Sequence, residues 1–284
     1  MFLFSSWITL SILAGIASNA FNFISRYLLK DQEDSTAYAW FFEFIRFLFL
    51  IIVAITIDWK LILTERSIIL FLLLGITEWV SVYWYMKMHE HTHLSISAIL
   101  SRTRLIWIPI IAFFLIQERL QISDYMGIVI LFIGLCIVLS PSKIFVDKGA
   151  SYANLSAFMI ALNTVLTKMA LPYGSNSIVN AAITGIPALL FPLTMKDATK
   201  RMKKIFQNNL LLKLLAVGVN IISVYLFTAA LRIGDPGKVN AIYQGMLVTS
   251  ILAGIIFLKE RDDIRKKLFG ATITIIGVII LSSF

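Results

Sequence analysis

Apolar stretches of about twenty residues, separated by short polar breaks, run the length of the chain. They fall at 7–28, 38–57, 67–86, 94–116, 122–140, 151–171, 177–195, 210–231, 238–258 and 266–283. A helix needs roughly 20 such residues to cross about 30 Å of hydrocarbon. The breaks carry charge and turn chemistry: Lys30-Asp31-Gln32-Glu33-Asp34, Asp58-Trp59-Lys60, Glu118-Arg119, Ser140-Pro141-Ser142 and Asp235-Pro236-Gly237. Runs such as Ile51 to Ile55 lack the strict alternation of barrel strands. Backbone polar groups in lipid must be paired within their own segment, which favours helices. The pattern predicts an all-α polytopic membrane protein of ten transmembrane helices with no soluble domain.

Composition sharpens this. Hydrophobic residues make up 59% of the 284 and charged residues 14%, against about 45–50% and about 25% in soluble domains. A mean hydropathy of +0.87 leaves too little polar surface for a globule in water. Nucleotide-binding domains, DNA-binding domains and disulfide scaffolds are excluded, and the lone Cys136 excludes Cys-based metal sites. No Gly-rich loop ending in Lys-Ser/Thr is visible, so no ATP site and no cofactor are expected. Met1 to Trp7 carry no Lys or Arg, so the first stretch reads as an uncleaved span rather than a secretory signal. The formal +9 charge points to basic loops at an anionic leaflet. The expected partners are membrane lipids and a small-molecule substrate, with no nucleic acid.

An internal repeat organises the chain. At an offset of 142 residues Arg26 meets Lys168, Ser81-Val82-Tyr83 meets Ser223-Val224-Tyr225, and Glu118-Arg119 meets Glu260-Arg261. With one further residue, Gly127 and Gly134 meet Gly270 and Gly277. The expected units are residues 1–141 and 150–284, five helices each. Five is odd, so the copies enter the membrane in opposite orientations. Inverted repeats are typical of secondary transporters with a midplane site between the halves.

The duplicated helix–Glu-Arg–helix unit resembles the drug/metabolite transporter superfamily in its ten-helix EamA-type branch. It is seen in Phe114 to Leu120 with Gly127 and Gly134, and again in Phe257 to Arg261 with Gly270 and Gly277. Pro109 in span four, the spacing from Asn163 to Lys168 in span six and Arg46 in span two add to the likeness. Span one lacks that family's tryptophan near Gly15 to Ser18, span seven its arginine and span nine its proline. The resemblance implies a metabolite transporter, not an enzyme, whose cavity is lined by spans one, three, four, six, eight and nine.

Ionisable groups at bilayer depth are functional candidates because they are costly there. Glu43 and Arg46 are neighbours on span two at i, i+3; they read as a structural ion pair or as a proton site at Glu43. Glu78 stands mid-span with no basic partner within a turn. It reads as a proton carrier or as the partner of an arginine on another helix. Arg102 and Arg104 lie about 200° apart on a regular helix. One is expected to face the substrate while the other pairs with Glu78 or Glu43. Guanidinium groups grip carboxylate or phosphate bidentately, which suggests an anionic or zwitterionic substrate. Asn19 and Asn22 in span one, Tyr83 in span three, Asn163 in span six and Asn240, Tyr243 and Gln244 in span nine are candidates for its polar atoms. Interhelical glue is the alternative role for the amides. His89, His91 and His93 are expected on a short solvated connector, with no metal site. Residues 196–206 read as a basic amphipathic segment on an anionic leaflet.

The orientation stays open. Fifteen Lys and Arg lie in odd-numbered connectors and six in even-numbered ones, which places both termini outside. The family likeness implies both termini inside. The sequence therefore predicts a transporter in the plasma (inner) membrane of a prokaryote, working by alternating access and coupled to protons through Glu78 or Glu43. A flippase for a lipid-linked phosphate or sugar is the alternative.

Overall fold

The computed structural model describes residues 6–30, 34–91, 99–139, 148–249, 251–252 and 263–283. In chain order the helices are α1 (Trp7–Lys30), α2 (Ser35–Val53), α3 (Glu65–His91), α4 (Arg104–Ile116), α5 (Ile122–Leu139), α6 (Lys148–Ala170), α7 (Asn176–Thr194), α8 (Ala198–Ile205), α9 (Leu210–Ile233), α10 (Pro236–Gly245) and α11 (Ile264–Ser283). Among the described residues the only β feature is an isolated bridge between Leu61 and Gly174. α1, α2 with its π-helical extension Ala54–Asp58, α3, α5, α7 and α9 are each long and apolar enough to cross a bilayer. α4, α6, α10 and α11 take the other four predicted places, and α8 is the basic segment expected to lie flat. Leu211 is 83% exposed, Leu193 80% and Phe114 75%. An apolar surface of that kind belongs against lipid rather than water.

Helix starts follow their capping residues. Asp34 accepts from Ala37 N at 3.0 Å and Ser175 from Ile178 N at 3.2 Å, which satisfies first-turn N–H groups of α2 and α7. Asp34 also clasps Arg201 of α8 through Nε and Nη2 at 2.5 and 2.6 Å. That guanidinium holds the Asp34 carboxyl below its ordinary range. Ile205, at the end of α8, is buried in the cluster built on α2, while Lys200, Lys203 and Lys204 stay exposed.

The helix pairings map onto themselves when the halves are exchanged. α1 packs on α9 as α6 packs on α3, and α1 on α10 as α6 on α4; α2 meets α7, α4 meets α10 and α5 meets α11. Even single hydrogen bonds repeat. Ser156 Oγ donates to Ser81 O at 3.0 Å and Ser223 Oγ to Ala14 O at 2.8 Å, joining the same two repeat positions with the donor reversed.

α5 and α11 run antiparallel, Gly134 lying against Gly270 and Gly127 against Gly277. A Cβ built on Gly134 falls 2.5 Å from Thr274 N and 2.8 Å from Gly270 O. Small residues permit this close approach, the usual route to tight contact between helices in lipid. Gly134→Val is therefore expected to lower the melting temperature of the detergent-purified protein by several degrees, in line with about 1–3 kcal/mol for overpacking. Gly218→Val, where a Cβ meets nothing within 4 Å, is the control and leaves it unchanged.

Candidate functional site

Two helices break at equivalent places. A 3-10 turn at Ser101–Thr103 precedes α4, and α10 ends at Gly245 before a turn at Met246. At the breaks Arg102 Nη1 donates to Gln244 Oε1 at 3.0 Å, joining residues 142 apart, which is the repeat offset. Arg102 and Arg104 both lie in the electrostatic neighbourhood of Tyr85 and Tyr243. Tyr243 Oη lies 2.7 Å from Ser18 Oγ of α1, and its ring sits 4.8 Å from that of Phe227. Asn240 and Gln244 are 2% and 1% exposed. Asn240 Nδ2, Gln244 Nε2, Arg102 Nε and Arg104 Nε are all buried without a hydrogen-bond partner among the described residues. Buried polar groups are normally satisfied; four unsatisfied donors around one break are what a ligand's oxygen atoms would complete.

A second cluster lies between α2 and α3. Arg46 Nη1 donates to Glu43 Oε1 at 3.0 Å, with both side chains buried. The Arg46 guanidinium also sits 4.9 Å from the centre of the Phe42 ring. Arg46 acts electrostatically on Glu78 as well as on Glu43, and the two carboxyls act on one another. The cluster thus sets two carboxyls around one cation. Neither Arg102 nor Arg104 pairs with Glu78 or Glu43, contrary to expectation. The 3-10 turn changes the separation of the two residues around the axis from about 200° to about 240°, and both long guanidinium side chains share the surroundings of Tyr85 and Tyr243.

The side carrying the α2–α3, α4–α5, α6–α7 and α9–α10 connectors is tied across the halves. Ile62 N donates to Tyr173 O at 2.8 Å and Ser175 N to Lys60 O at 2.9 Å. Within the second half, Lys168 Nζ reaches Leu231 O at 2.6 Å and Gly234 O at 2.9 Å, and Arg232 reaches Leu171 O and Gly174 O, each at 2.8 Å. Lys238 Nζ lies 3.2 Å from Asp124 Oδ1. Gln117, in the left-handed region at φ 56°, ends α4. Beyond it Glu118 Oε1 accepts Gly237 N–H at 3.3 Å at the start of α10, and Glu118 Oε2 is buried without a partner. Burial pushes the Glu118 carboxyl up to about 7, opposed by the Gly237 N–H, raised further by Asp235 and lowered by Lys168 and Lys238.

The model of the EamA-like transporter family matches this chain twice, over residues 5–140 and 147–283. The chain belongs to that family. It is an integral, multi-pass membrane transporter. The transporter is also similar to a solved structure described only as the crystal structure of a protein: the TM-score is 0.73 at 13% identity, over 96% of this chain and 98% of that one. That likeness concerns the fold alone. No curated protein sequence matches the transporter.

The other predicted residues scatter. Asn163 Nδ2 donates to Leu74 O at 2.8 Å and to Thr77 Oγ1 at 2.9 Å, so both its amide protons tie α6 to α3. Asn19 Nδ2 donates to Met246 O and Thr249 Oγ1, holding the chain beyond the α10 break. Asn22 is exposed, and the Tyr83 ring packs 6.3 Å from that of Trp79 and edge-on at 5.4 Å from that of Trp84. α3 continues through His91, so His89 and His91 are helical rather than on an extended connector; His93 lies outside the described residues. Sequence reasoning missed Ser18 and Tyr85, as well as the roles of Lys168, Arg232 and Glu118 on the tied side. The repeated Glu-Arg motif was the one signal for the last.

Proposed function

We propose that the protein is a secondary transporter carrying a small polar metabolite, anionic or zwitterionic, by alternating access. The units 1–141 and 150–284 act as two inverted repeats that rock about the broken helices. Support comes chiefly from Arg102 bonding Gln244 of the other half, with Tyr243 near both arginines and buried donors left unpaired on Arg102, Arg104, Gln244 and Asn240. Glu78 and Glu43 share Arg46, so one carboxyl of the pair lacks a full counter-charge and can carry a proton between states. Arg46 is the structural cation of that pair. The setting is the plasma membrane of a prokaryote, with lipids as the surrounding partner.

The test is uptake by the purified transporter in liposomes, using labelled carboxylates, phosphate esters and amino acids with and without an inward proton gradient. Accumulation of a soluble solute that rises with the gradient is expected. Glu78→Gln keeps exchange of that solute and loses at least about tenfold of the gradient-driven accumulation, as removal of a proton carrier requires. Scrambling of a lipid-linked phosphate with no uptake of any soluble solute would instead make the protein a flippase.

A further inference from the structure

Among the described residues, the charges at bilayer depth are not shared between the halves. Glu43, Arg46, Glu78, Arg102 and Arg104 all belong to α2, α3 and the start of α4. α7, the counterpart of α2, has no Asp, Glu, Lys or Arg from Asn176 to Thr194. In α9 and α10 such residues are confined to Lys213, Arg232 and Lys238, each near a helix end. The repeat offset pairs Glu78 with Asn220, Arg102 with Gln244 and Arg104 with Met246. The Ser156–Ser81 and Ser223–Ala14 bonds confirm the register for α3 and α9, and the Arg102–Gln244 bond joins two such equivalents directly. A symmetric frame therefore holds an electrostatically one-sided site: cations on one wall, neutral amides on the other.

We infer that the substrate is an organic anion whose charge sits at one end, with a neutral hydrogen-bonding body and no ammonium group. This rests on the transporter reading above and narrows it. The charged end, a carboxylate or a phosphate, meets Arg102 and Arg104. Among the described residues the electrostatic neighbours of these arginines are one another, Tyr85 and Tyr243, with no carboxylate. Two buried guanidiniums with no counter-ion among the described residues are suited to an oxyanion. An ammonium group at the other end would need an acidic partner. Glu43 is bonded to Arg46, and Glu78, kept for a proton in the reading above, belongs to that cluster rather than to the neighbours of Arg102 and Arg104. The opposite wall presents Asn240 Nδ2 and Gln244 Nε2, both N–H donors. Donors favour hydroxyl and carbonyl oxygens and repel a cation. Specificity against zwitterions thus comes from what the second half lacks.

The inference is tested with matched pairs that differ only in a hydroxyl for an ammonium group: malate against aspartate, and 2-hydroxyethyl phosphate against phosphoethanolamine. Affinity is read by thermal shift and by competition in liposome counterflow with the purified full-length protein. The ammonium-free member of at least one pair is expected to bind about tenfold tighter or better; which pair responds distinguishes carboxylate from phosphate. Arg102→Gln weakens that ligand on the order of a hundredfold, and Arg102→Gln with Gln244→Arg restores most of it. The exchanged charge starts from the neighbouring wall, 3.0 Å away. Equal or tighter binding of the zwitterions overturns the inference while leaving the transporter reading intact, and this arm needs no variant to fold. A folded Arg102→Gln with unchanged affinity also overturns it. Failure of every soluble solute, with scrambling of a lipid-linked phosphate, overturns the transporter reading itself.

Discussion

Arg46→Ala is expected to lower the melting temperature of the detergent-purified protein by about 10 °C, the largest loss from any single change in the membrane interior. Glu43 and Arg46 are 2% and 5% exposed, and Arg46 bonds Glu43 and acts electrostatically on Glu78. Removing it leaves two carboxyls facing one another in a low dielectric. Breaking a buried ion pair from one side costs about 3–5 kcal/mol, and each kcal/mol is worth about 2–4 °C in a chain approaching this size. Adding Glu43→Gln to Arg46→Ala should recover much of the loss, because the amide needs no counter-charge and no second carboxylate then acts on Glu78. Arg46→Lys falls between: the charge and its place over Phe42 are kept, while the planar fork is lost. An Arg46→Ala protein that melts like the parent would mean the carboxyls are neutral without their cation, and the proton-carrying role would then have no electrostatic basis.

That cluster also marks how far the sequence could be read. Hydropathy and turn chemistry located the helices because lipid tolerates few other arrangements, and the 142-residue offset disclosed the two copies before any contact was known. Helix breaks were a different matter. Ser101-Arg102-Thr103-Arg104 is a polar run and Gly245 adjoins Met246, local signals of the turns at Ser101–Thr103 and Met246 that the apolar character of 94–116 and 238–258 as a whole overrides. Without the break, Arg102 and Arg104 were placed on opposite faces. Polarity likewise says that a group needs a partner but not which one. Asn163 and Asn240 looked alike in sequence. Asn163 gives both amide protons to α3, whereas Asn240 Nδ2 finds no partner among the described residues. The choice between glue and ligand depends on helix rotation, which a lone sequence does not carry.

Raising the pH through about 7 is expected to open the tied side, with Glu118 as the group that titrates. In the tied state burial holds its carboxyl at about 7; exposed to water by a rocking motion, it would return to a carboxyl's ordinary 4.5. The proton therefore binds the tied state more tightly. Its stabilisation is complete below about 4.5 and is lost as the pH climbs through about 7. A shift of that size changes the ratio of closed to open forms on the order of a hundredfold. Protonation at the unpartnered Oε2 leaves Oε1 free to keep accepting from Gly237 N–H. Ionisation instead leaves a charge beside Asp235, offset only in part by Lys168, by Lys238 (itself shared with Asp124) and by the positive end of α10. Val239 is fully buried just inside this side. In a Cys136→Ala background, Val239→Cys in liposomes should thus be labelled by an impermeant maleimide slowly at about pH 5 and far faster at about pH 8. Thiol ionisation alone accelerates the reagent with pH, so the decisive comparison is Glu118→Gln. Its neutral amide imitates the protonated acid, and after correction for a free thiol its labelling should stay slow at both values. If the corrected rates of parent and Glu118→Gln rise together, the gate does not titrate at Glu118 and the hydrogen bond to Gly237 is only a helix cap.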